Sequence, residues 1–298
     1  MKKIKEHVSF YDQIARNKRN SFFLMLIIIV IFISLAYVIG QVYNEYFFII
    51  LIIGIIISIS YVLISYYNSD KIALASVKAK LASKAEYRQF HDIIEGLCLA
   101  SGLPKPKLYV IDDEQINAFA TGRDPEHSAI AVTKGALKKL NKQELEGVIG
   151  HELSHIAHYD IRFMTLVSIM VGMIAIISEI FLRSLWFSGG GNRNRKGNAI
   201  FLLIGILLAI IAPIIVWLVQ MAISRKREYA ADASSVKFTR TPTGLIRALK
   251  KIKSDSKKMK VSGAVSPLFI SDPLRKRISG LTATHPSIEK RIAILERM

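Results

Sequence analysis

Two imidazoles and a carboxylate stand close together in G-H-E-L-S-H-I-A-H, residues 150–158. His151 and His155 are four residues apart, which on an α-helix puts both rings on one face, one turn apart. Imidazole nitrogen suits Zn²⁺, and a catalytic zinc site has three protein ligands with the fourth position left to water. Glu152 lies about 100° further round the helix at ~3.6 residues per turn, so it can flank the ion without stacking on the histidines. A carboxylate placed there can take a proton from water at the metal, the general-base role in H-E-x-x-H hydrolases. The pattern fixes only three positions, and an exposed helix that happens to carry them is the competing reading.

Three residues are candidates for the third ligand. His158 shares the face, but it is seven residues from His151, a rise of roughly 10 Å, and a straight helix cannot bring all three rings to one ion with ~2 Å bonds. Asp160 falls at the helix end, where it either orients a ligand or is solvated. Glu228, in S-R-K-R-E-Y-A-A-D (residues 224–232), would complete a His₂Glu set. Asp232, one turn on, could accept the N–H of a ligating histidine and fix its tautomer. Alternatively, both carboxylates pair with Arg225, Lys226 and Arg227.

The elements around these residues are those of an α/β unit. Residues 85–101 carry Phe90, Ile93, Ile94, Leu97 and Cys98 at helical spacing, and Gly102 and Pro104 end the run. K-L-Y-V-I (107–111) reads as a strand, and residues 116–120 and 129–133 as two more, joined by a polar stretch. Asn141 is an N-cap with Glu144 three residues on, so a helix runs through His155.

Apolar runs bracket this unit. Residues 22–39 and 46–64 are each long enough to cross a bilayer and are preceded by Lys2, Lys3, Lys5, Arg16, Lys18 and Arg19. The positive-inside rule turns them into a hairpin with both ends in the cytosol. Further runs cover 164–182 and 199–223, separated by a glycine-rich loop, residues 183–198, that carries Arg183, Arg193, Arg195 and Lys196. Full crossing would put that basic loop outside, against the rule. Whether the pair crosses or only dips, it returns the chain to the side of His151, where Glu228 can meet the histidines.

The formal charge of +18 fits basic flanks of membrane segments, and no nucleic-acid module accompanies it. Cys98 is the only cysteine, so an intrachain disulfide and a Cys-based zinc cluster are excluded. A transporter is disfavoured because ionisable residues are nearly absent from the apolar runs. Six lysines between 250 and 260 make a solvated or lipid-facing surface.

The chain resembles the HtpX-type integral-membrane zinc metalloproteases, relatives of the CAAX prenyl endoproteases. The resemblance rests on H-E-L-S-H at 151–155, S-R-K-R-E-Y-A-A-D at 224–232, N-A-F-A-T-G at 117–122 and T-H-P-S-I-E-K-R-I at 284–292. It implies one Zn²⁺ per chain on His151, His155 and Glu228, with Glu152 as catalytic base. It also implies an edge strand at Asn117, Ala118, Phe119 and Ala120, to which a substrate backbone would add. His285 matches the family's histidine–proline motif near the active site; by the residues alone it is equally a structural histidine before Pro286.

The expected architecture is α+β and mainly helical, a membrane-anchored zincin-like domain with a small sheet and four apolar membrane helices. Residues 1–68 form the basic segment and first hairpin, 69–163 and 224–298 the two parts of the protease domain, and 164–223 the second hairpin. The expected activity is endoproteolysis of misfolded or damaged membrane proteins at the cytosolic face of the cell membrane. Partners are those proteins and the lipid bilayer. The rivals are a CAAX-type endoprotease, from which four apolar segments depart, and an inactive scaffold that keeps the zinc site.

Overall fold

A computed structural model describes residues 10–42, 44–170, 172, 225–255, 258–259, 261, 265–273 and 286–298. Helix α1 (Phe10–Val42) and helix α2 (Phe47–Tyr67) form a hairpin around a 3₁₀ turn, Asn44–Tyr46. The helices approach closely where Gly54 meets Ala36, a spot with no room for a Cβ on the glycine. Phe32 and Tyr61 pack across the same interface, ring centroids 5.4 Å apart. Both helices are long and apolar enough to cross a membrane. Their outer faces show Phe22, Phe48, Ile52 and Ile56 bare, a surface suited to hydrocarbon rather than water.

These are the two candidate membrane helices among the described residues. Of the expected third segment, residues 164–170 are helical and all but the half-buried Ile169 are buried. The rest of it, apart from residue 172, and the whole fourth segment lie outside the described residues.

After α3 (Ser69–Ser76) the chain lays down β1 (Lys80–Leu81), α4 (Arg88–Ser101), β2 (Lys107–Ile111), β3 (Ala118–Gly122) and β4 (Ser128–Thr133). Gly102 takes a left-handed φ of 72° and caps α4, as its position after the apolar run implies. The strands are ordered β1-β2-β4-β3: β2 and β4 are parallel, while β1 and β3 pair antiparallel with their neighbours. β3 is therefore an edge, as the resemblance implies.

Strands β3 and β4 are buried on both faces, and the strands' alternation separates two cores. Ala118, Ala120, Ile130 and Val132 join Phe90, Ile94, Leu153 and Leu249 in one. Phe119, Ala129 and Ala131 join Phe163, Val167 and, from the hairpin, Leu24, Ile28 and Val62 in the other. The base of the membrane hairpin is thus part of the same packed body as the sheet.

Helix α5 (Lys134–Lys139) leads into α6 (Lys142–Ala157), which opens with the expected capping box. Asn141 accepts from the Glu144 N–H, and the Glu144 carboxylate accepts from the Asn141 N–H. Helices α7 (Arg225–Thr239) and α8 (Thr243–Ser254) pack on α6, and α9 (Ile288–Leu295) closes the domain. Gly147 and Gly150 make that approach possible. A Cβ on Gly147 would run into the Leu245 backbone, and one on Gly150 would lie 2.9 Å from Ser235 Oγ. Ser235 Oγ donates to the Gly147 carbonyl at 2.7 Å, which fixes α7 along α6.

Candidate metal centre

With α7 held against α6, Glu228 in its first turn faces the histidine pair. His151 Nε2 and His155 Nε2 are 3.2 Å apart; Glu228 lies 3.6 Å from the first and 3.8 Å from the second. The three ligand atoms sit within 4.8 Å of one another and are buried. Two nitrogens each ~2 Å from a tetrahedral ion lie about 3.3 Å apart, so this triangle fits zinc. The donor set, two imidazoles and one carboxylate, suits zinc chemically.

The other nitrogen of each ring meets a carboxylate. His151 Nδ1 lies 3.0 Å from Asp232 Oδ1, and His155 Nδ1 lies 3.1 Å from Asp160 Oδ2. A carboxylate accepting from Nδ1–H leaves the Nε2 lone pair for a metal. Asp160 reaches its place because Tyr159 turns at φ 59°, ending α6 so that the chain folds back toward His155. His158 caps the helix and gives its Nδ1–H to the Ser154 carbonyl at 2.8 Å, away from the ligand set. His285 lies outside the described residues.

Glu152 is buried beside the triangle, and among the described residues neither of its buried carboxylate oxygens has a hydrogen bond of normal geometry. The Ala120 backbone on β3 offers it a polar approach. Burial raises its pKa, opposed by His151 and His155. Burial and Arg291 act against a charged His151, but hydrogen bonds to Asp232 and Glu228 override them and push its pKa up to about 9. Burial also pushes Asp232 up, and Arg291 and His151 outweigh it, so its pKa falls below the usual carboxylate value.

Two contributors escape the sequence reading. Arg291 of α9 is fully buried: Nε donates to Asp232 Oδ2 at 2.9 Å, Nη2 to Oδ1 at 2.6 Å and Nη1 to the Ile270 carbonyl at 3.3 Å. Its place in the 284–292 motif was the available signal. Asn17 of α1 donates from Nδ2 to Asp160 Oδ1 at 2.6 Å and to the His158 carbonyl at 2.9 Å. No spacing or motif marks it.

The segment Asn117–Ala120 divides by role. Asn117 is buried, its amide donating to the Ser271 carbonyl and Gln115 and accepting from the Ala118 N–H. The outer edge of β3 is partly paired, since Ile270 N–H donates to the Ala118 carbonyl at 3.0 Å and Phe269 bridges Phe119. By the strand's two-residue period, Ala120 and Gly122 turn their backbone groups the same way as Ala118.

Residues 84–298 match the model of peptidase family M48. The chain is 48% identical over 235 residues to "Protease HtpX homolog" of Caldanaerobacter subterraneus subsp. tengcongensis, covering 77% of this chain and 78% of that one. It is 40% and 41% identical to the proteins of the same name from Streptococcus uberis and Listeria monocytogenes serotype 4a, covering 97% of this chain and 99% of each of them. A crystal structure of S. mikatae Ste24p aligns with a TM-score of 0.49 at 21% identity, over 91% of this chain and 66% of that one.

Proposed function

From the premise that this chain belongs to peptidase family M48 and is a membrane metallopeptidase, we propose that it is a zinc endopeptidase that cuts misfolded or damaged membrane proteins on the cytosolic side. In this reading His151, His155 and Glu228 hold one zinc ion, and Glu152 is the base. The observation that carries it is the buried triangle of two Nε2 atoms and a Glu228 oxygen with Glu152 alongside.

Zinc held there supplies Lewis acidity toward a carbonyl oxygen and toward water. The rest falls to the chain. Asp232 and Asp160 hold the two imidazoles with Nε2 forward. Glu152, its carboxyl pKa raised by burial, accepts a proton from the attacking water and passes it to the leaving amine nitrogen. A substrate backbone would add along β3 at Ala120 and Gly122, beyond the stretch that Ile270 already pairs.

Two observations support the cytosolic side. Residues 2–19 are basic and precede the apolar run of the first membrane helix. Asn17, in that same stretch, is bonded to Asp160 at the metal centre, so the site lies where α1 begins. The bilayer would hold α1 and α2, with 69–163 and 224–298 acting as one protease domain interrupted by 164–223.

The deciding experiment uses the full chain in lipid nanodiscs with an unfolded membrane protein as substrate. Cleavage that a chelator abolishes, zinc restores and the Glu152→Gln variant lacks supports the reading. Absence of cleavage by zinc-loaded protein would leave the scaffold, and cleavage only of a prenylated CAAX peptide would favour the prenyl endoprotease.

A further inference from the structure

The first membrane helix does more than anchor the domain. Asn17 lies one turn before the long apolar run, yet it is buried, among chain that comes about 140 residues later. Its amide nitrogen serves two acceptors at once. One is the His158 carbonyl, at the end of α6 where the last carbonyls have no partner in the helix itself. The other is Asp160 Oδ1 at 2.6 Å, while Oδ2 of the same carboxylate lies 3.1 Å from His155 Nδ1. An unbroken row of polar contacts thus runs from α1 through Asp160 to a residue of the metal triangle.

The surroundings fix this contact. Lys18 lies over the Tyr159 ring, 4.4 Å from its centroid, and Arg162 stacks on the same ring at 5.3 Å. Ser21, fully buried one turn along α1, donates to the Asn17 carbonyl at 2.8 Å. Leu24 and Ile28 continue the stripe into the core shared with Phe163 and Val167. The turn at residues 158–160 is therefore gripped by α1 along one face. Asp160 can rotate about its side-chain bonds, and an amide donor at 2.6 Å on one oxygen holds the other oxygen toward His155.

We propose that Asn17 is a positioning residue for the metal centre: by holding Asp160 it keeps the His155 ring turned with Nε2 toward the ion, which makes metal affinity depend on the docking of α1. This rests on the zinc reading of His155. A bilayer-embedded helix then sets the geometry of a site outside the bilayer, and disturbing the seat of α1 loosens the metal before it unfolds the domain.

The test measures Zn²⁺ affinity of the full chain in nanodiscs by competition with a chromogenic chelator, beside kcat and KM. Asn17→Ala favours the helical state of α1, so a mere effect on helix stability would not weaken the site. The expected result is a three- to tenfold weaker zinc affinity, less than the roughly 10–100-fold typical of losing a carboxylate partner such as Asp160. In the Asp160→Ala background the same change should alter affinity less than twofold, because its route is already cut. Ser21→Ala removes a hydrogen bond internal to α1 and leaves both contacts of the Asn17 amide nitrogen in place, so it should leave affinity unchanged.

Equal effects of Asn17→Ala in both backgrounds, or an equal loss from Ser21→Ala, would overturn the proposal. Should Asn17→Ala fail to fold, Asn17→Gln, which keeps the amide but displaces it by a methylene, must show the same loss or the idea fails. Wild-type protein that binds no zinc overturns the zinc reading itself; wild type and Asn17→Ala binding equally well overturns this inference alone.

Discussion

His151 Nε2 lies 3.6 Å from Glu228 Oε2, although the apolar runs at 164–182 and 199–223 separate the two residues in the chain. The contact exists because α7 runs along α6 over Gly150, with Ser235 Oγ bonded to the Gly147 carbonyl, and it makes each of the three donors necessary. His155→Ala or Glu228→Ala should lose the metal as well as the activity. Metal analysis of the purified variants checks this, and a variant that retains one zinc per chain would remove that residue from the ligand set.

Glu152→Gln preserves the side chain's shape and leaves all three donors in place. It should bind zinc as the wild type does while kcat falls by about 10²–10⁴, the usual contribution of a positioned base. Turnover within tenfold of wild type, at full zinc occupancy, would take the base role away from Glu152.

Arg291→Met leaves Asp232 ionised and buried without its bidentate partner. Breaking a buried pair from one side costs about 3–5 kcal/mol, so unfolding should begin at markedly lower denaturant. Adding Asp232→Leu removes the stranded charge and should restore part of that stability without restoring metal affinity. Recovery of both would mean that neither residue orients His151.

Two glycines should respond to alanine with opposite signs. Gly147→Ala forces a methyl into the Leu245 backbone and should destabilise by about 1–3 kcal/mol, with zinc affinity falling as α8 is displaced from α6. Gly96→Ala, in α4 with nothing within 4 Å of the added carbon, should stabilise by about 0.5–1 kcal/mol. Chemical denaturation of the two variants side by side reads both signs.

Much of this was written in short-range pattern. The capping box at Asn141, the left-handed cap at Gly102 and the strands at 107–111 and 129–133 follow from local rules, and the structure reproduces them to within a residue or two. The four-residue step from His151 to His155 and the offset of Glu152 are properties of any helix. Asp232 as acceptor for a histidine was legible from its position one turn after Glu228, and it meets His151. Asp160 was legible only as one of two options, because the left-handed turn at Tyr159 that aims it at His155 has no marker such as glycine.

The sequence by itself determined the type of chemistry, because local geometry places His151, Glu152 and His155, and their residue types restrict what they can hold. It also determined that two long apolar helices precede the site, since length and composition suffice for that. Only the tertiary structure decided that Asn17 and Arg291 stand behind the metal centre, that Asn117 spends its side chain inside the domain, and that Ile270 already pairs part of the β3 edge. Those contacts join residues from about 60 to about 150 positions apart, and they depend on how helices pack rather than on any repeat along the chain.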